Sequence, residues 1–353
     1  MERQEGHRVH WAYIGSFTSG GGLGITVAAV DPDTGALTPR TSVDTVTNPA
    51  GLALDPGTGV LYAAGDTDPG TVAAFRTGPD GTLAPLGPAV DVAGSGPAHL
   101  SVAGGRLHTA NYGSGSVSTF AVRPDGSLAG PPTVLAHHGS GPDAERQRGP
   151  HAHQVLTAPG GRWVLSVDLG TDSVRVCAAD PATGGLRVHT ETALRSGSGP
   201  RHLAFHPAGE VVYVLHELEP LMTVCRWDAA AGHVEPLAEV AIDSGGAPAG
   251  QRVYPSVVHV AADGRFVRAA VRGAGTVLTF SLADGAEKPR LTSAVDCGGV
   301  WPRDLVAGPS GRTLYVANEW SGDVTWFHAD PESGALRRGG RVEVPAAACV
   351  VLS

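Results

Sequence analysis

The chain has 353 residues, 42% of them hydrophobic and 17% charged, with 50 glycines and 27 prolines. That much Gly and Pro excludes a helical bundle, whose interior tolerates neither, and the apolar share excludes disorder, which needs low hydrophobicity and high charge. The formal charge is −9 and no basic run occurs, so a nucleic-acid surface has nothing to stand on and no nucleic-acid partner is expected.

The first residues, Met1-Glu-Arg-Gln-Glu, are polar and lack the apolar core of a signal peptide. Residues 1–9 are expected as a flexible N-terminal tail. No run approaches the length that crosses a bilayer, so no membrane partner is expected and the location read from the sequence is cytoplasmic. Strand-like segments follow at residues 11–15, 24–30 and 37–43. From residue 48 to about 344 one unit recurs, clearest at residues 199–228, where Gly199-Pro-Arg-His-Leu-Ala-Phe-His-Pro precedes two further apolar strand-like runs and a looser fourth near residues 234–242. Its opening proline falls at 49, 97, 150, 200, 255 and 302, intervals of 47 to 55 residues. Four strand-like segments in about 50 residues are the mark of a propeller blade. The N-terminal segments supply three strands of a seventh blade, and Cys349-Val-Val-Leu supplies the missing one. The expected fold is a single all-β domain over residues 1–353. It is a seven-bladed propeller of four-stranded antiparallel blades, closed by the C-terminal strand joining the N-terminal blade, which removes exposed sheet edges.

Aligning the units makes positions equivalent around the axis. Inside the first strand stand Ala50, Ala98, His153, Arg201, Ser256 and Arg303. At the end of the second stand Asp66, Tyr112, Leu169, Glu217, Arg272 and Glu319. First strands line a propeller's channel, so these form two adjacent rings. Charge there is expensive unless paired or used. Charges pairing across a solvated mouth would explain any one of them; His153, Arg201, Glu217 and Arg272 on consecutive blades point instead to chemistry. Arginines hold carboxylate or phosphate through forked hydrogen bonds, and His and Glu move protons. A small anionic substrate is the expected partner.

Other residues carry weaker signals. Asp168, Asn111 and Asn318 share a slot that usually satisfies turn backbone. His137-His138 reads as an exposed loop pair. His151 and His153 could chelate from one strand face, but no third ligand follows at metal spacing, so no metal is expected. Cys177, Cys225, Cys297 and Cys349 lack C-x-x-C spacing and read as buried free thiols. Lys288, the sole lysine, lies in a polar stretch that reads as a loop, which argues against a Schiff base. No P-loop, nucleophile elbow or dinucleotide fingerprint occurs, and no cofactor is expected.

The blocks Gly149-Pro-His-Ala-His-Gln-Val, Val167-Asp-Leu-Gly-Thr-Asp, Gly199-Pro-Arg-His, Leu215-His-Glu-Leu and Asn318-Glu give the chain a resemblance to the lactonase family of seven-bladed propellers. That family includes propeller-type 6-phosphogluconolactonases and fungal carboxy-cis,cis-muconate cyclases. Tyr13-Ile-Gly-Ser-Phe-Thr and the segment from Val344 extend the resemblance to both ends. It implies a cofactor-independent enzyme acting on lactones or their open acids, with the family's active-site His, Arg, Glu and Arg on His153, Arg201, Glu217 and Arg272. On this reading Glu217, helped by His153, deprotonates water. Arg201 and Arg272 clamp the anion, and Arg303, His151, His202, His216 and Glu319 complete the substrate contacts. The chain departs from the family at Ser256-Val-Val-His and Val271-Arg-Gly, where polar neighbours are lost, and this bears on specificity. Two other readings stay open: a specialised cyclase, isomerase or lyase of secondary metabolism, and a non-catalytic interaction propeller.

Overall fold

The computed structural model describes residues 10–245 and 251–353; the expected tail at residues 1–9 lies outside them. The described residues build seven antiparallel sheets around one axis. Blade 1 runs outward from Ala347–Leu352 through His10–Ser16 and Ile25–Val30 to Leu37–Val43. Blades 2 to 7 begin with the innermost strands Pro49–Asp55, Pro97–Ala103, Ala152–Thr157, Pro200–Phe205, Tyr254–Val260 and Pro302–Ala307. Blade 2 departs from the plain pattern, because its outer strand is split into Leu83–Pro85 and Val90–Asp91, both paired to Thr71–Thr77.

Second strands such as Val60–Gly65 and Val211–His216 are buried throughout. A strand covered on both faces needs apolar residues at successive positions, not alternate ones. Outer strands such as Leu186–Ala193 are largely solvent-facing. The core is therefore not one ball but seven seams between neighbouring blades: Tyr213, Leu215 and Val224 of blade 5, for instance, pack on Val267, Leu278 and Phe280 of blade 6. Second-strand tyrosines stitch the seams. Tyr62 donates to the Gly126 carbonyl at 2.7 Å, Tyr213 to Ala286 at 2.7 Å and Tyr315 to Gly35 at 2.9 Å.

Closure is as expected from the sequence. Ala12, Ile14 and Gly15 pair with Leu352, Val350 and Cys349, and the Ser353 amide donates to the Trp11 carbonyl at 2.9 Å. All four cysteines are buried and unpaired.

One register detail positions the site. In blades 2 to 7 the innermost strand skips one residue in its pairing with the second strand, at Ala50, Ala98, His153, Arg201, Ser256 and Arg303. Such a bulge re-aims a side chain that the ladder would otherwise commit to a seam. In blade 4 Ala152 fills the pairing slot held by Pro200 in blade 5, so Pro150 sits two residues ahead of the other repeat prolines.

Candidate active site

At the mouth of the channel, on blades 4 to 6, Glu217 is 4% exposed and gathers three arginines. Arg272 Nη2 donates to Oε2 at 2.8 Å. Arg201 Nε lies 2.9 Å from the same oxygen, an ionic contact off the line of a hydrogen bond. Arg146 Nη2 donates to Oε1 at 2.7 Å. The guanidiniums are themselves held. Arg201 donates to the Ser256 carbonyl, Arg272 to the carbonyls of Tyr254 (3.2 Å) and Pro255 (3.3 Å), and Arg146 to the Tyr112 hydroxyl (3.2 Å). Burial by itself would raise the Glu217 carboxyl, but the Arg272, Arg201 and Arg146 guanidiniums hold it well below the usual carboxylate range. One carboxylate against three guanidiniums leaves the cluster electropositive.

His153 projects from the blade 4 bulge and is 8% exposed. Burial, then Arg201, with Arg303 and Arg272, push its pKa well down against the pull of Glu217, so the ring is neutral. Its Nδ1 is buried with no hydrogen-bond partner among the described residues. Tyr112 meets His153 edge-on at 5.5 Å and stacks on His151 at 4.4 Å. His151 Nδ1 bonds the Tyr112 carbonyl at 2.8 Å. On the other side of the cluster Arg272 lies over the rings of Trp301 (5.4 Å) and Tyr254 (5.8 Å).

Arg146 has no counterpart in the repeat and was not foreseen. It rides the long 137–151 connection between blades 3 and 4, which is firmly anchored. Asp143 Oδ1 accepts from the amides of Glu145 and Arg146. The buried Gln147 donates to the Leu169 carbonyl and to Asp172 Oδ1, both at 2.8 Å. Asp172 also accepts from the Gly199 amide, and the Glu217 amide donates to the Gly199 carbonyl at 2.7 Å. The only signal in the sequence was a charged run, Asp143-Ala-Glu-Arg-Gln-Arg, inside a Gly/Pro-rich loop between two blades.

The remaining expected residues divide. Arg303 and Glu319 pair with each other at 3.2 Å, and Arg303 lies over the Phe17 ring at 4.8 Å. His202 lines the channel below the mouth, where it receives a hydrogen bond from Gln154 Nε2 at 2.8 Å and faces His99. His216 is a correction. It faces a seam with 0% exposure, and both ring nitrogens are taken, by Ser198 Oγ and Thr223 Oγ1 at 2.8 Å each; it cannot touch a substrate in the mouth. His137 is a second correction: it is buried, with Nδ1 2.6 Å from Asp168 Oδ2, beside Arg175. Asp168 does serve turn backbone, accepting from the amides of His151, Gly170 and Thr171.

Comparison with known proteins agrees with this architecture. Residues 11–352 match the family model described as lactonase, 7-bladed beta-propeller. A 6-phosphogluconolactonase of Bacillus subtilis (strain 168) is 33% identical over 344 residues, 96% of this chain and 97% of that one. The solved periplasmic gluconolactonase of Pseudomonas aeruginosa is 29% identical with a TM-score of 0.89, covering 98% of this chain and 99% of that one. A Bacteroides fragilis structure, 27% identical, aligns over the whole of both chains with a TM-score of 0.91.

Proposed function

The chain belongs to the lactonase family of seven-bladed β-propellers, and from that premise we propose that it hydrolyses an anionic lactone of the sugar-acid class. The observation that carries the reading is the electropositive cluster of Arg146, Arg201 and Arg272 on Glu217. Arg201 and Arg272 are buried, whereas the Arg146 side chain is 33% exposed and able to meet an arriving phosphate or carboxylate. Guanidinium N–H groups fixed by carbonyls also suit the oxyanion that forms when water adds to the lactone carbonyl.

The base in this scheme is His153, neutral and projecting from the blade 4 bulge. Both Glu217 oxygens already accept from guanidiniums, Oε1 from Arg146 and Oε2 from Arg272, so we assign proton abstraction to His153 in place of Glu217, the base read from the sequence. His153 takes the proton of the attacking water, and ionised Glu217 stabilises the imidazolium while it orders the arginines. Water's oxygen bonds the carbonyl carbon, and collapse of the tetrahedral adduct breaks the ring C–O bond and releases the open hydroxy acid; ring closure would use the same groups in reverse. The four unpaired cysteines suit a reducing cytoplasm. Among the described residues no helix is long and apolar enough to cross a membrane.

A pH-stat assay of 6-phosphogluconolactone opening tests the reading. Acid release far above the spontaneous rate is expected; release at the spontaneous rate, for this and for gluconolactone, would overturn it.

A further inference from the structure

Glu217 has a counterpart across the axis. Asp66 follows Gly65 as Glu217 follows His216, and Gly65 pairs with Pro49 as His216 pairs with Pro200. The Asp66 amide donates to the Asn48 carbonyl at 2.9 Å, the bond that Glu217 makes to Gly199 at 2.7 Å. Both carboxylates are therefore launched into the mouth by the same backbone geometry, from blades 2 and 5 of the ring. Their surroundings are opposite. No donor among the described residues bonds the Asp66 carboxylate; its hydrogen bonds run through backbone atoms. It faces a cavity of about 770 Å³ lined by Phe17, Asn48, Arg303, Glu319 and Trp320. The charged groups there are Arg303 and Glu319, already paired to each other. Arg303 also lines the channel cavity that holds His153 and Arg201, and its charge acts on both Asp66 and His153.

We infer that Asp66 is a second proton-transferring residue of the lactonase reaction proposed above, protonating the ring oxygen that leaves as the lactone opens. The inference rests on that reading. Water's proton passes to His153 as its oxygen bonds the carbonyl carbon. When the tetrahedral adduct collapses, the ring C–O electron pair stays on oxygen, and an aliphatic alkoxide is a poor leaving group unless protonated. Asp66 supplies that proton and becomes carboxylate; His153 then releases its proton to solvent and Asp66 takes one back from solvent, which resets both groups. Burial pushes the Asp66 carboxyl up and Arg303 only partly opposes this; an anionic substrate nearby raises it further. A carboxyl raised by burial and a neutral imidazole are groups whose environments set one as acid and the other as base.

The test is leaving-group dependence in Asp66→Asn, with Asp66→Glu as the conservative variant. Against an aliphatic sugar lactone, Asp66→Asn should lose about 100-fold or more in kcat. Against a phenolic lactone, whose leaving oxygen needs no proton, it should lose less than about fivefold. Asp66→Glu should recover part of the aliphatic rate. The wild-type aliphatic rate should fall as pH rises through the carboxyl's pKa, and Asp66→Asn should lack that limb. Equal losses on both substrates would make Asp66 structural, and no loss would make it idle; either overturns the inference while the lactonase reading stands. A wild-type enzyme inactive on both lactones would overturn that reading and this inference with it.

Discussion

Replacing Glu217 by glutamine keeps the shape and removes the charge that three arginines share. Arg201 and Arg272, with side chains 5% and 7% exposed, would then stand buried without a counter-charge. Removing one partner of a buried pair typically destabilises by about 3–5 kcal/mol, because the remaining charge stays desolvated. Arg146 adds little, since its exposed side chain can turn to water. A chain of 353 residues unfolds with an entropy near 0.7 kcal/mol per kelvin at about 2.1 cal/mol/K per residue, so Tm should drop by about 4–7 °C. Differential scanning calorimetry reads this directly. Inorganic phosphate should restore more of the lost Tm in the variant than it adds to the wild type, because it supplies the counter-charge that glutamine lacks. An unchanged Tm, or equal phosphate shifts in both proteins, would refute the view that Glu217 is the cluster's counter-ion.

Three further outcomes follow from the same geometry. Arg146→Met should raise KM for an anionic lactone about 10- to 100-fold, the worth of one charged hydrogen bond, while stability changes by less than about 1 kcal/mol; steady-state kinetics and a melting curve check both. His153→Gln should lower kcat by about 100- to 10,000-fold with KM little moved, and a large KM change with kcat intact would count against its role as base. Burial holds His99, His108 and His259 at pKa values of about 4 and His216 at about 3, against 6.5 in the unfolded chain. Between those values the unfolded chain binds more protons, so stability falls on acidification from about pH 6.5 towards 4. Glu217, whose folded pKa is depressed, adds its own loss only as pH falls below its unfolded value. Circular dichroism during acid titration should show the transition in this window; equal stability at about pH 4.5 and about pH 7.5 would contradict it.

The fold was legible because a blade needs the same things each time: an apolar second strand, turns at both ends, and an opening proline. The strands at Leu37–Val43 and Ala347–Leu352 and their closure into one sheet follow from that repetition. The register also brought Arg201, Glu217 and Arg272 together, since side chains at bulged and strand-end positions converge on the axis. It failed one residue away. His216 and Glu217 are adjacent, yet strand alternation turns the first into a seam. His137 looked like a loop residue, and only the inward-facing Arg175 and Asp168 of blade 4 explain its burial. Arg146 escaped for the opposite reason, because it belongs to an inter-blade connection outside the repeat.

A crystal structure with 6-phosphogluconate, the opened acid, tests most directly whether the arginine cluster binds the substrate's anion. An anionic group of the ligand should lie within hydrogen-bonding distance of Arg146, Arg201 or Arg272, with its hydroxylated end reaching toward Arg303 and Asp66. A ligand bound elsewhere, with the three arginines still closed on Glu217, would contradict it.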